Sequence, residues 1–146
     1  MNKKLLLTVI VCLFTIDSFS QQPVIFQRDG KALDGYDAVS FFAATGPVKG
    51  YDSLSVSWEN TEWLFSSLEN KAAFAANPGM YAPQYGGYCA YGMSRNYKAP
   101  VSIDTWTVED GKLYFNYNKK VKNIWNKDRG GYIEKANANW PDVKFN

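Results

Sequence analysis

Alternation of apolar and polar residues predicts two β-hairpins. The apolar residues of 54–58 alternate with serines, and a second alternating run at 63–65 follows a short polar turn. Residues 106–108 and 113–117 flank an Asp-Gly pair at 110–111, and Asp-Gly is among the strongest signals for a tight type I′ turn. Each hairpin is therefore expected to bury one face and expose the other.

A helix is predicted directly after the first hairpin. Ser66 and Glu69 have the S-x-x-E spacing of a capping box, in which both side chains satisfy free amides at a helix start. The helix is expected to run to about Asn77, where Pro78 and Gly79 stop it.

Apolar residues at helical spacing indicate two more short helices near the C-terminal end. One apolar face covers 121–125, and that helix is expected to end near Gly130-Gly131. Another covers 133–140, where the helix is expected to stop before Pro141.

The remaining segments carry weaker patterns. Asp34-Gly35 indicates a turn, and 37–42 is interpreted as a short buried segment, for which a strand is one reading. Residues 81–100, rich in Tyr and Gly, are predicted to form a long ordered loop with at most one short helical turn. The expected fold is a small single α+β domain of antiparallel hairpins packed with short helices.

The N-terminal segment is typical of a signal peptide. Lys3 and Lys4 precede an apolar run over 5–16, and 18–20 places small residues at the positions expected before cleavage at Gln21. The apolar run is shorter than the roughly 20 residues that span a bilayer. We therefore expect a signal peptide at 1–20, a mature domain at 21–146, no membrane insertion after cleavage, and export to the periplasm or the medium.

The charge excludes one class of partner. The chain has a formal net charge of +2, and removal of Lys3, Lys4 and Asp17 lowers it to about +1. A nearly neutral chain gives no electrostatic basis for nucleic-acid binding. The mature domain is expected to be a monomer.

Cysteine and histidine usage limits the chemistry further. Cys12 lies in the predicted signal peptide, so Cys89 is the lone thiol of the mature chain and has no internal disulfide partner. The chain has no histidine, which is the commonest general base and the commonest metal ligand. Most familiar hydrolase mechanisms are therefore excluded, and a non-enzymatic role is favoured.

Five phrases, in consistent order, resemble the exported branch of the YHS-domain family. They are ALDGYDAVSFF at 32–42, WLFSS at 63–67, YAPQYGGYCAY at 81–91, DGKLY at 110–114 and ANANWP at 136–141. The resemblance implies a core of a hairpin followed by a helix, similar to treble-clef-like metal modules.

The resemblance also bears on metal binding. Positions that hold metal-binding cysteines or histidine in the better-known branch match Ser40, Ser66 and Asn70, and such side chains are poor ligands for soft ions. The family's usual metal site is therefore expected to be absent. Some relatives are described as selenoproteins, which implies a reactive sulfur or selenium at the position of Cys89.

The leading hypothesis is a binding module that handles a soft metal through Cys89. Met93 lies four residues later, at helical i to i+4 spacing, and Met80 is near in sequence. One thiolate with one or two thioethers suits Cu(I). Zinc is disfavoured because a structural zinc site needs about four strong ligands.

Two other functions remain open. The second hypothesis is that Cys89 acts as a reactive redox thiol, with charge supplied by Arg95 or Lys98. This chemistry requires a resolving thiol from a partner protein. The third possibility is a structural or interaction domain in which Cys89 is buried and inert. A candidate cofactor-binding loop surrounds the cysteine and comprises Tyr85, Gly86, Gly87, Tyr88 and Tyr91. Alternatively, these tyrosines are structural: their rings pack in the core and their hydroxyls form hydrogen bonds with the backbone.

Overall fold

Two hairpins belong to two separate sheets in the computed structural model, which describes residues 21–146. The predicted signal peptide at 1–20 lies outside the described residues. The first sheet has the strand order β1-β2-β4-β3, with only β2 and β4 parallel, and the second consists of β5 and β6. The strands are β1 Gln27–Arg28, β2 Lys31–Ala32, β3 Tyr51–Trp58, β4 Thr61–Phe65, β5 Ser102–Glu109 and β6 Lys112–Asn116.

Both predicted hairpins are confirmed. Val56 pairs with Trp63 in the first, and Val108 pairs with Leu113 in the second. The second turn has positive φ at Asp110 and Gly111, as a type I′ turn requires. The strands begin earlier than the alternation indicates, because each hairpin continues past a register shift.

Helices surround the two sheets, and the α+β class is confirmed. Within residues 21–146 no helix is both long and apolar enough to cross a membrane. The α-helices are α1 Leu68–Ala76, α2 Pro78–Tyr81, α3 Ala90–Ser94, α4 Lys119–Trp125 and α5 Arg129–Val143. Shorter 3-10 helices cover Leu33–Gly35, Ala38–Phe42 and Gln84–Gly87.

The helix predicted after the first hairpin exists, but its cap was assigned one residue too early. Ser67, not Ser66, accepts the hydrogen bond from the Asn70 amide and caps α1. Pro78 follows the end of α1 as predicted, yet it also begins α2, because proline at a first helical position loses no hydrogen bond.

Two segments are more helical than their patterns suggested. Residues 38–42 form a 3-10 helix, so the strand interpretation was wrong, because the Asp37 carboxylate accepts the Val39 amide and caps the turn. The segment 81–100 contains both a 3-10 helix and α3, which is more than the single turn predicted.

The boundary between the last two helices was also misplaced. Asp128 accepts the Gly131 amide and caps α5, so Gly130-Gly131 begin that helix rather than end α4. Pro141 lies inside α5 instead of stopping it. A proline near the end of a helix removes only one hydrogen bond of the last turn, and the Lys144 amide still bonds to the Trp140 carbonyl.

Aromatic side chains dominate two buried clusters. The larger cluster lies between the two sheets and α1, and the smaller one lies between α3, β6 and α5. Phe41, Trp63, Phe65, Phe74 and Phe115 are prominent in the first, and Tyr85, Met93, Tyr114, Trp125 and Ala136 in the second. Cys89 belongs to the first cluster, next to the boundary with the second.

Candidate functional site around Cys89

Cys89 lies where three segments of backbone meet. It is the N-cap residue of α3, its amide donates to the Ala99 carbonyl over 3.0 Å, and it forms a parallel bridge with Phe115 at the end of β6. These neighbours leave only 1% of the residue exposed. The only thiol among residues 21–146 is therefore a core residue.

The sulfur takes part in several hydrogen bonds. Sγ accepts the Gly92 amide at 3.4 Å and the Tyr117 amide at 3.3 Å, and the thiol donates to Asn116 Oδ1 at 3.7 Å. The bond from Gly92 caps the first turn of α3, as a serine oxygen would. Cys89 therefore links α3 to the end of β6 through its side chain.

Burial controls the protonation of this thiol. It raises the pKa of Cys89 above its ordinary value, because the charged form loses its solvation. Hydrogen bonds from the backbone amides of Gly92, Tyr117 and Tyr91 act in the opposite direction and are outweighed. A reactive cysteine normally has a depressed pKa and solvent access, and Cys89 shows neither.

The two cations considered as activators are used elsewhere or exposed. The Lys98 ammonium donates to the carbonyls of Gln22, Lys144 and Asn146 and lies 5.3 Å from the centroid of the Tyr88 ring. Arg95 is exposed at the end of α3. Neither cation contributes to the shift of the Cys89 pKa.

The candidate sulfur ligands are only partly brought together. Met93 follows Cys89 on the same helical turn, with its amide bonded to the Cys89 carbonyl, but its side chain is packed in the smaller cluster. Met80 lies on α2 and is 60% exposed. The described part of the chain also has no group of three or more His, Cys, Asp or Glu side chains suited to a metal.

The tyrosines of the candidate loop make structural contacts. The Tyr85 hydroxyl donates to Asn137 Oδ1 at 2.9 Å, the Tyr88 hydroxyl donates to the Pro23 carbonyl at 2.7 Å, and the Tyr91 ring packs against Tyr132. Burial raises the pKa of Tyr88 to about 12 and raises that of Tyr85 as well. Both phenols therefore stay protonated at neutral pH.

The glycines of the same loop allow close backbone approach. Gly86 has φ +61°, and a Cβ placed there would lie 1.9 Å from the Val24 carbonyl oxygen. Its own carbonyl accepts the Phe26 amide at 2.8 Å. Gly86 thus allows the segment around Val24 to lie against the loop. This close contact accounts for a glycine at position 86, and no bound ligand is needed to explain it.

Sequence reasoning missed a second buried polar site centred on Asp37, which is fully buried. Its Oδ2 accepts the Ser66 amide at 2.9 Å, the Ser66 hydroxyl at 2.6 Å and the Asn70 side-chain amide at 2.7 Å. Its Oδ1 accepts the Val39 amide, and the Ser40 hydroxyl donates to the Asp37 carbonyl. The sequence signals were an Asp before a short apolar turn and the matched positions Ser40, Ser66 and Asn70, none of which pointed to Asp37 as their common partner.

Ser40, Ser66 and Asn70, the positions that the resemblance matches to metal ligands, therefore all bond to Asp37, and two of them bond to its carboxylate. Ser66 and Asn70 direct N–H or O–H donors at it, and Ser40 donates to the backbone of the same residue. Donors repel a cation, so this arrangement holds an anionic side chain rather than a metal. The site ties the 3-10 helix at 38–42 to the end of β4 and the start of α1.

Comparison with known proteins adds no relative from which a role could be transferred. No protein-family model, curated protein or solved structure matched the chain.

Proposed function

We propose that this protein is an exported, non-enzymatic binding module in which Cys89 is a structural residue. One observation carries the proposal: the thiol is buried and hydrogen-bonded between α3 and β6, with a raised pKa. Export follows from the segment at 1–20, which has the features of a signal peptide.

The burial also weighs against soft-metal handling as the main role. A Cu(I) ion at Cys89 would have to deprotonate a thiol whose environment favours the neutral form. Met93 would have to leave its own packed cluster to join it. The module is therefore expected to use its surface for binding.

The resemblance to the exported YHS branch supports the same role. The positions that match metal ligands in the resemblance lie together around Asp37, where their hydrogen bonds stabilise the fold. A domain with hydrogen-bonding side chains at these positions, in place of metal ligands, is expected to bind through other surfaces.

Thiol redox chemistry is the second candidate, and the amides around the sulfur favour it. Hydrogen bonds from Gly92 and Tyr117 stabilise a thiolate once water reaches the site. Such chemistry requires opening of the segment around Cys89 and a thiol from a partner protein. Reaction of Cys89 with peroxide faster than that of free cysteine would support this candidate over the structural role.

A labelling experiment tests the structural role. In the native protein, Cys89 should react with a bulky aromatic disulfide reagent at least about a hundredfold more slowly than an exposed thiol, because reaction requires opening of the core. The matched control is the double variant Cys89→Ser, Ser53→Cys, which moves the single thiol to an exposed position on β3. Equal rates in the two proteins would overturn the proposal.

Metal binding is tested on the same proteins by native mass spectrometry with Cu(I). The structural role predicts that the wild-type protein and Cys89→Ser retain the same amount of copper. Stoichiometric copper in the wild-type protein that disappears in Cys89→Ser would establish the soft-metal function instead.

A further inference from the structure

A cavity of about 190 Å³ lies between the turn joining β3 to β4 and the C-terminal end of α5. Three aromatic residues line it, namely Trp58, Tyr85 and Trp140. Trp58 is held against Trp63 and Phe74, and Trp140 packs edge-on against Tyr85 at 6.2 Å. Two tryptophans from separate elements are therefore fixed by packing at one small cavity.

Opposite charges line the same cavity. Glu59 follows Trp58 in the tight turn, and Lys144 lies one helical turn after Trp140. Among the described residues the two do not form an ion pair with each other, and neither forms one with another side chain. The lining of the cavity thus includes one acidic and one basic residue, and the Lys144 ammonium lies 5.2 Å from the centroid of the neighbouring Phe145 ring.

We infer that this cavity binds a small zwitterion whose cationic end is a quaternary ammonium group. Aromatic side chains attract such cations, which cannot be held by hydrogen bonds, and a neighbouring carboxylate adds to the attraction. The anionic end of the ligand faces the Lys144 ammonium. A ligand with both charges satisfies Glu59 and Lys144 together, which neither a simple cation nor a simple anion does.

The size of the cavity limits the ligand. Cavities for drug-sized ligands have volumes of about 300–1,000 Å³, so the volume of this one matches a compact molecule. One wall is the segment around Val24, which Gly86 holds close to the loop. The inference rests on the proposed function because it supplies the binding module with a ligand class.

Calorimetric titration with glycine betaine tests the inference. Betaine should bind saturably, and its uncharged-head isostere 3,3-dimethylbutanoate should bind about fivefold to thirtyfold more weakly, which is the range of a cation–π interaction. Tetramethylammonium should also bind more weakly than betaine, because it lacks the anionic end.

Two surface variants locate the binding. Glu59→Gln should weaken betaine binding, and Lys144→Gln should remove the difference between betaine and tetramethylammonium. Glu62→Gln and Lys120→Gln are exposed controls outside the cavity and should bind like the wild-type protein.

Three results would overturn the inference: no saturable betaine binding, equal binding of the isostere, or equal effects of the control variants. The Cys89 labelling rate does not depend on this cavity. Slow labelling without betaine binding would reject the ligand but not the proposed function. Rapid labelling with betaine binding would reject the structural role of Cys89 but not the ligand.

Discussion

Asp37 and Cys89 show how a buried polar residue stabilises this chain. Each bonds to backbone amides of more than one segment, and each lies at the start of a short helix. The two side chains differ in the groups that surround them. Asp37 Oδ2 is surrounded by three donors, whereas the Cys89 thiol has an acceptor, Asn116 Oδ1, to which it donates.

Replacement of Asp37 by asparagine should therefore be costly. The variant Asp37→Asn replaces one carboxylate oxygen with an NH₂ group, so in either orientation an N–H group faces other donors, either those of Ser66 and Asn70 or that of Val39. We expect the free energy of unfolding to fall by about 3 kcal/mol, measured by denaturant unfolding. The control Asp29→Asn, at an exposed turn position, should change it by less than about 0.5 kcal/mol. Equal effects of the two substitutions would contradict the role assigned to Asp37.

Elements defined by local pattern were predictable, and those defined by distant contacts were not. The two hairpins follow from alternation and from turn residues within a few positions of each other. The cap of α1 was misassigned because Ser66 bonds instead to Asp37, which lies 29 residues away. The burial of Cys89 was left open because its surroundings come from Ala99, Phe115 and Tyr117, which no local pattern links to it.

α5 carries a stability defect that a single substitution can remove. Pro141 lacks an amide hydrogen and disfavours the helical conformation of Trp140, which precedes it. Pro141→Ala is expected to raise the free energy of unfolding by about 1 kcal/mol, less than the ~3 kcal/mol for a proline in a helix interior, since the position is in the last turn. Unfolding by urea measures the change, and a decrease would show that the proline is required to shape the end of the helix.

The buried thiol and phenols are expected to make the folded protein less stable in alkali. Burial raises the pKa of Cys89, Tyr85, Tyr88 and Tyr114, so the folded protein keeps protons that the unfolded chain releases. The stabilisation is complete below the ordinary pKa values of 9.0 for the thiol and 10.0 for the phenols, and it is lost as the pH rises towards the raised values, about 12 for Tyr88.

Thermal unfolding between pH 7 and pH 11 measures this dependence. The melting temperature should be steady near neutrality and should fall above about pH 9, and the fall should be shallower in Cys89→Ser, which lacks the thiol. A melting temperature that is constant up to pH 11 would show that these groups titrate alike in the folded and unfolded chains.

The most direct test of the account is the dependence of Cys89 labelling on denaturant in the native protein. If the thiol is part of the core that joins α3 to β6, the free energy of the opening that permits labelling should approach the free energy of global unfolding and should fall with denaturant at the same slope. Labelling through an opening that costs much less and does not respond to denaturant would contradict the structural role of Cys89.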